Sequence, residues 1–228
     1  MKKIAALVMA LMLTMCAQAL AAPVPSAESS ELAVKVQQRA SQVNTLRAEF
    51  VRQSDYVAMG SDGASQVMGS GQLFWGKPMN LRLEQHNPSH EIIIADGASV
   101  WWVRPERSRA DSYPVDRFSG SLLSLLDVLS GMANINEKFM EVAVTDQDRS
   151  SSPREITLVL KPREARADLD RLVLWLDEGS YDLRGFKFSN VVGDTTMYRF
   201  SQVEINPGLP AGTFTYTPPD TYKINIQR

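Results

Sequence analysis

The chain has 228 residues, 44% of them hydrophobic, with 24 basic and 26 acidic side chains and a single cysteine. That length supports one domain with a full-sized core. The near-neutral charge, with no basic block, argues against a phosphate backbone as partner, and one cysteine rules out an intramolecular disulfide.

Lys2 and Lys3 precede a short apolar run, residues 4–15, and Ala19-Leu20-Ala21 forms a small-x-small cleavage site. This pattern predicts a secretory signal peptide over residues 1–21 and a single mature domain over 22–228. The run is shorter than the roughly 20 apolar residues a spanning helix needs. Cys16 follows Met15, a poor fit to a lipoprotein peptidase that favours small residues there, so it is expected to leave with the signal. A mature chain without cysteine suits an oxidising compartment without depending on disulfides.

Residues 22–30 read as a flexible lead-in. Ser29 or Ser30 can cap a helix, with Glu31 in its first turn. Leu32, Val36, Ala40, Val43 and Phe50 recur at helical spacing, while Lys35, Gln38, Arg39 and Gln42 face water, so the helix is expected to pack on a sheet. A strand is expected from Ala48 into the Tyr56 region, a turn over 60–63, and a strand around Gln66.

Residues 69–105 hold three strand-like runs joined by Gly76-Lys77-Pro78, Asn87-Pro88-Ser89 and Asp96-Gly97, residue types that reverse a chain. Leu81 and Leu83 point one way, Arg82 and Glu84 the other, which predicts one apolar and one wet face. Trp75, Trp101, Trp102 and Trp175 all fall in strand runs, and the consecutive Trp101 and Trp102 must point to opposite faces. Residues 111–115 could add a short strand. Ser119-Gly120-Ser121 then opens a helix carrying Leu122, Leu123, Leu125, Leu126, Val128 and Leu129, with Gly131 to end it. It is apolar nearly all round, so it is either central in a core, the reading the pattern favours, or a plug over an apolar cavity.

Further strands are expected over 139–145, 155–161, 171–177, 183–192, 195–205 and 213–217. The run 171–177 is apolar almost throughout, as for a strand covered on both sides. Residues 177–180 and 206–208 read as turns. The pattern is an antiparallel meander of α+β or mainly-β class.

Side chains suited to catalysis are few. His86 and His90 have a helical metal-ligand spacing, but Pro88 between them and the flanking strands remove the helix, no third ligand is defined, and no metal is expected. Asp168/Asp170 and Asp177/Glu178 have the context of solvated surface charge, and Asp146-Gln147-Asp148 lacks the glycine and distal glutamate of a calcium loop. There is no G-x-S-x-G turn, P-loop or dinucleotide fingerprint. A face built from Trp, Phe and Ile with so little chemistry suits holding an apolar ligand without reacting with it; no enzyme activity and no cofactor are expected.

Several short motifs, in order, carry a resemblance: Leu46-Arg47-Ala48-Glu49-Phe50 with Gln53; residues 69–75, Gly-Ser-Gly-Gln-Leu-Phe-Trp, followed by Lys77-Pro78; Asp96-Gly97 with Val100-Trp101; Leu122-Leu123; and residues 214–219, Phe-Thr-Tyr-Thr-Pro-Pro. From about Glu31 onward the chain resembles the periplasmic outer-membrane lipoprotein carrier family, LolA type. The resemblance implies a strongly curved, incomplete antiparallel β-barrel with helices covering its concave apolar face. It implies a soluble, monomeric periplasmic chaperone that takes lipoprotein acyl chains from an inner-membrane ABC-transporter complex to an outer-membrane receptor lipoprotein. Leu81, Leu83, Ile92, Ile94, Trp101, Leu122, Leu125, Leu126 and Leu129 are the candidate cavity residues. Lys77 stands where the family commonly has a lid-contacting arginine, and lysine cannot make arginine's planar bidentate contact. Leu83 stands at a usually aromatic position, and residues 220–228 depart from the family's usual ending. The alternatives are the related receptor anchored through Cys16, a carrier for another lipid, and a hydrolase using His86 or His90.

Overall fold

Ala33, Val36, Ala40 and Val43 recur every three or four residues, and all four are buried. They are the apolar stripe of α1 (Ala27–Gln42) and the residue just beyond its end. The chain then turns directly into β1 (Thr45–Tyr56), so Phe50 is a strand residue. It shares a face with Leu46 and Ala48 at period two, which corrects its place in the helical stripe.

The computed structural model describes residues 27–57, 65–117 and 135–227. After β1 come β2 (Ser65–Gly76), β3 (Asn80–Asn87), β4 (Glu91–Asp96), β5 (Ser99–Arg104) and β6 (Arg109–Pro114). The one-turn helix α2 (Ile135–Lys138) leads to β7 (Phe139–Glu141), β8 (Glu155–Pro162), β9 (Arg171–Asp177), β10 (Leu183–Ser189), β11 (Thr195–Ile205) and β12 (Lys223–Ile226). Asp96 shows how the turns are made: its Oδ1 accepts the N–H groups of Ala98 (2.9 Å) and Ser99 (2.8 Å). Gly97 between them sits at φ 88°, a conformation glycine adopts freely.

All twelve strands form one sheet in the order β12-β6-β5-β4-β3-β2-β1-β11-β10-β9-β8-β7. Every pairing is antiparallel except β12 with β6. Laid flat, twelve strands would spread over about 50 Å. Instead Val100 on β5 and Leu160 on β8 belong to one continuous buried cluster with α1 and α2. The sheet therefore curls around the helices while its edge strands β12 and β7 stay unpaired with each other, an open, mainly antiparallel barrel of the expected class.

The outer face is covered in two places. Ile92, Ile94, Val103 and Ala110, with Trp101 beside Ile94, pack against Tyr216 and Tyr222 of the C-terminal segment. Val159, Val173 and Trp175 lie under Val142, Val144 and Met197. Strand β9 is thus buried on both faces, as its sequence predicted, with Leu172, Leu174 and Leu176 looking inward. Both covers use segments that read as strands. Of 139–145 only Phe139–Glu141 form the strand; Val142 N still donates to Val159 O at 3.0 Å, and the Val142 and Val144 side chains pack against the outer cluster. Residues 213–217 are held in turns, with Thr213 N bonding Pro210 O and Thr215 N bonding Gly212 O. Phe214 packs on the outside of Gly76. The run 183–192 stops at Ser189, where Asn190 Oδ1 accepts from the N–H groups of Val192 and Asp194. Strand β12 was not expected: Lys223-Ile224-Asn225-Ile226 alternates, but over only four residues, and its isoleucines are exposed at the sheet edge.

Candidate functional site

The hydrogen-bond register lays the inner face out in rows, since directly paired residues put their side chains on the same side of a sheet. The first row crosses β1 to β5 as Leu46, Trp75, Leu81, Ala95 and Val100. The second runs Ala48, Leu73, Leu83, Ile93 and Trp102, ending at Asp111 on β6. The third runs Phe50, Gly71, Gln85 and Glu91. The surface thus grades from wholly apolar beside α1 to polar at the far rim. Strands β8–β10 continue the apolar part with Leu158, Leu160, Leu172, Leu174, Leu176, Leu183 and Phe186.

At the polar rim Arg52 faces inward beside Tyr198, its strand partner. Burial pushes the Tyr198 phenol up, and the neighbouring Arg52 cation pulls it part of the way back. Arg52 Nε is buried without a hydrogen-bond partner. Asp111, fully buried, is held by Arg104 and by Arg109 at 2.7 Å. Trp102 Nε1 donates to Glu91 Oε2 at 3.0 Å.

Of the sequence-predicted site residues, Leu81 and Leu83 lie together on the inner face. Ile92, Ile94 and Trp101 do not join them. They lie on the outer face, under the C-terminal segment, with Trp101 against the Tyr216 ring at 5.5 Å. Their inward assignment is corrected by parity: Ile93 pairs with Leu83, so Ile92 and Ile94 must point out. Trp102 is the inward member of the tryptophan pair. Leu122, Leu125, Leu126 and Leu129 lie outside the described residues. Trp75, Ile93, Ala95 and Val100 on the inner face were missed as site residues. No alternation marked Ile93, Ala95 and Val100, because β4 and β5 are apolar on both sides, and Trp75 on β2 sits beside the equally apolar, outward Phe74.

Lys77 Nζ donates to the carbonyl of Ser41 in the last turn of α1, and Lys77 N bonds Asn44 O at 2.9 Å. A cation there also meets the negative end of the helix dipole. The contact this structure gives Lys77 therefore fixes α1 to the sheet. Beneath α1, among Val36, Ala40, Leu46, Trp75, Leu174 and Leu176, the packing leaves a cavity of about 30 Å³, room for roughly one water. Beside α1 a wider cleft of about 760 Å³ opens onto Leu32 and Ile156, both packed against the inner core, with Lys35 and Glu155 at its rim.

His86 and His90 come together without a helix. The β3–β4 turn folds the chain back so that their rings lie 5.8 Å apart, and Glu84 of β3 joins them. Strand spacing brings Glu84, two residues before His86, to the same side of the hairpin as both rings.

Residues 41–217 match the family model described as outer membrane lipoprotein carrier protein LolA. The chain belongs to the LolA family. A protein named outer-membrane lipoprotein carrier protein from Dechloromonas aromatica is 29% identical over 175 residues, covering 77% of this chain and 78% of its own. One of the same name from Pasteurella multocida is 26% identical over 206 residues, covering 89% and 91%. The crystal structure of a LolA superfamily protein from Nitrosomonas europaea aligns over 82% of this chain and 97% of its own, at 13% identity and a TM-score of 0.42. The LolA match spans β1 to β11 and ends at Thr217, so the edge strand β12 lies beyond it.

Proposed function

We propose that this chain is a non-enzymatic periplasmic carrier that shields the acyl chains of lipoproteins against the inner face of its open sheet. One observation carries the reading: an unbroken apolar surface crosses β1–β5 and continues over β8–β10 in a sheet that does not close. Exposing an acyl chain to water costs about 0.8 kcal/mol per CH₂, so passage between two membranes needs such a surface. Membership of the LolA family supports lipoprotein as the cargo. No helix among the described residues is long and apolar enough to cross a membrane.

In this reading residues 1–21 direct export and are removed, leaving one domain over 22–228. The carrier receives its cargo from an inner-membrane ABC-transporter complex and surrenders it to an outer-membrane receptor. The tight fit beneath α1 means that uptake displaces the cover, so loading selects an opened population. Leu81 and Leu83 contact the chains, which enter beside α1, where the cleft reaches Leu32 and Ile156.

Spheroplasts incubated with the purified mature protein test this. The expected result is lipoprotein released into the soluble fraction in complex with the carrier and detected intact by native mass spectrometry. Release no greater than with an unrelated periplasmic protein overturns the reading.

A further inference from the structure

We propose that Glu84, His86 and His90 form a divalent-metal site on the outer side of the β3–β4 hairpin, with zinc the ion best suited to it. One ligating atom from each residue can be chosen such that all three lie within 4.8 Å of one another. His90 Nε2 stands 3.5 Å from Glu84 Oε1. Ligands bound tetrahedrally at 2.0–2.1 Å to one ion are about 3.3 Å apart, so this pair already has nearly the required separation.

Three features favour an ion over a chance cluster. His90 Nε2 is shielded from solvent and has no hydrogen-bond partner, a state that coordination would satisfy. The two oxygens of Glu84 are divided: Arg82 Nε donates to Oε2 at 3.3 Å, which orients the carboxylate and leaves Oε1 toward His90. The backbone of His90 is also tied down, its N–H reaching Glu106 Oε1 at 3.3 Å. His86 is exposed and can swing onto an ion held by the other two.

Two imidazoles and one carboxylate are a ligand set that zinc accepts, with a fourth position left to water or to a side chain of a partner. The nearby Glu91 takes no part. Its oxygens are occupied by Ser89 Oγ at 2.9 Å and Trp102 Nε1 at 3.0 Å. The ion would clasp β3 to the residue preceding β4 and brace the polar end of the hairpin. The site lies on the outer face, so its occupancy stands apart from the reading of the inner face as a lipid surface.

The test uses the mature protein with any polyhistidine tag removed. Cobalt(II) is titrated and followed by its visible absorption, then displaced by zinc. The expected result is one ion per chain, with affinity lowered about 10- to 100-fold or more in the His86→Ala/His90→Ala variant and lowered also in Glu84→Gln. Zinc should raise the unfolding midpoint of the wild type and leave that of the double variant unmoved. Because His86 is exposed, the single His86→Ala variant keeps the test valid if the double variant folds poorly, a point settled by circular dichroism. Unchanged affinity and stoichiometry in a folded His86→Ala variant, or no saturable binding by the wild type at millimolar cobalt, overturns the proposal.

Discussion

Strand β4 carries apolar side chains on both of its faces, and the two faces have different fates. Ile93 and Ala95 turn inward to the large cluster beneath α1, while Ile92 and Ile94 turn outward. The outward pair is sealed by the chain's own C-terminal segment through Tyr216 and Tyr222. The inward set is covered by helices around a curved, open sheet. Both surfaces are buried, so burial alone does not distinguish a ligand surface from a structural one. The covers differ in kind, helices over the inner face and the C-terminal segment over the outer, and ligand uptake is the property that would separate the two surfaces.

Truncating one residue on each face gives the largest expected effect. Leu83→Ala and Ile94→Ala each remove a buried aliphatic side chain and should each cost about 2–5 kcal/mol in urea unfolding. Only Leu83→Ala should also weaken uptake of a fluorescent fatty acid. Equal loss of uptake in both variants would erase the distinction between the faces.

A smaller effect is expected at Trp101, which is only partly buried and packs against Tyr216. Trp101→Ala should cost about 1–3 kcal/mol and leave fatty-acid affinity unchanged. A fall in affinity comparable to that of Leu83→Ala would return Trp101 to the ligand surface.

The smallest effect concerns the second outer cover. Asp148 bonds Arg171 at 2.6 Å, and its carbonyl accepts from Trp175 Nε1 at 2.7 Å. Burial by itself would raise the Asp148 carboxyl, but Arg171 and the Thr145 hydroxyl and N–H outweigh it and hold it at about 2. A carboxyl depressed in the folded state adds stability above its unfolded value near 4, and that stability is lost as pH falls toward about 2. Asp148→Asn should cost about 1 kcal/mol at neutral pH and flatten the acid limb of the stability profile between about pH 4 and 2. The cover over β4–β6 is built from aromatic and aliphatic contacts and should show no matching loss. An acid limb unchanged by the substitution would remove that difference between the covers.

Much of the architecture was legible in the residues. The α1 stripe and the bounds of β11 follow from periodicity, because side-chain direction repeats every 3.6 residues in a helix and every two in a strand, and the doubly buried β9 follows from an apolar run without alternation. The site was legible only in part. Leu81 and Leu83 alternate with Arg82 and Glu84, so their shared face could be read directly. Ile92, Ile93 and Ile94 do not alternate, and a one-residue error in parity exchanges the two faces.

The order of residues along the chain was therefore enough to establish an antiparallel class, a helix packed on the sheet and the scarcity of catalytic side chains, since each of these rests on local patterns, whereas the open barrel was implied only by the family resemblance. Only the folded chain decided which apolar residues look inward, which segment seals the outer face, and that Glu84 meets both histidines. Those outcomes depend on hydrogen-bond register between strands and on contacts between residues distant in sequence, and neither leaves a periodic trace in a single strand.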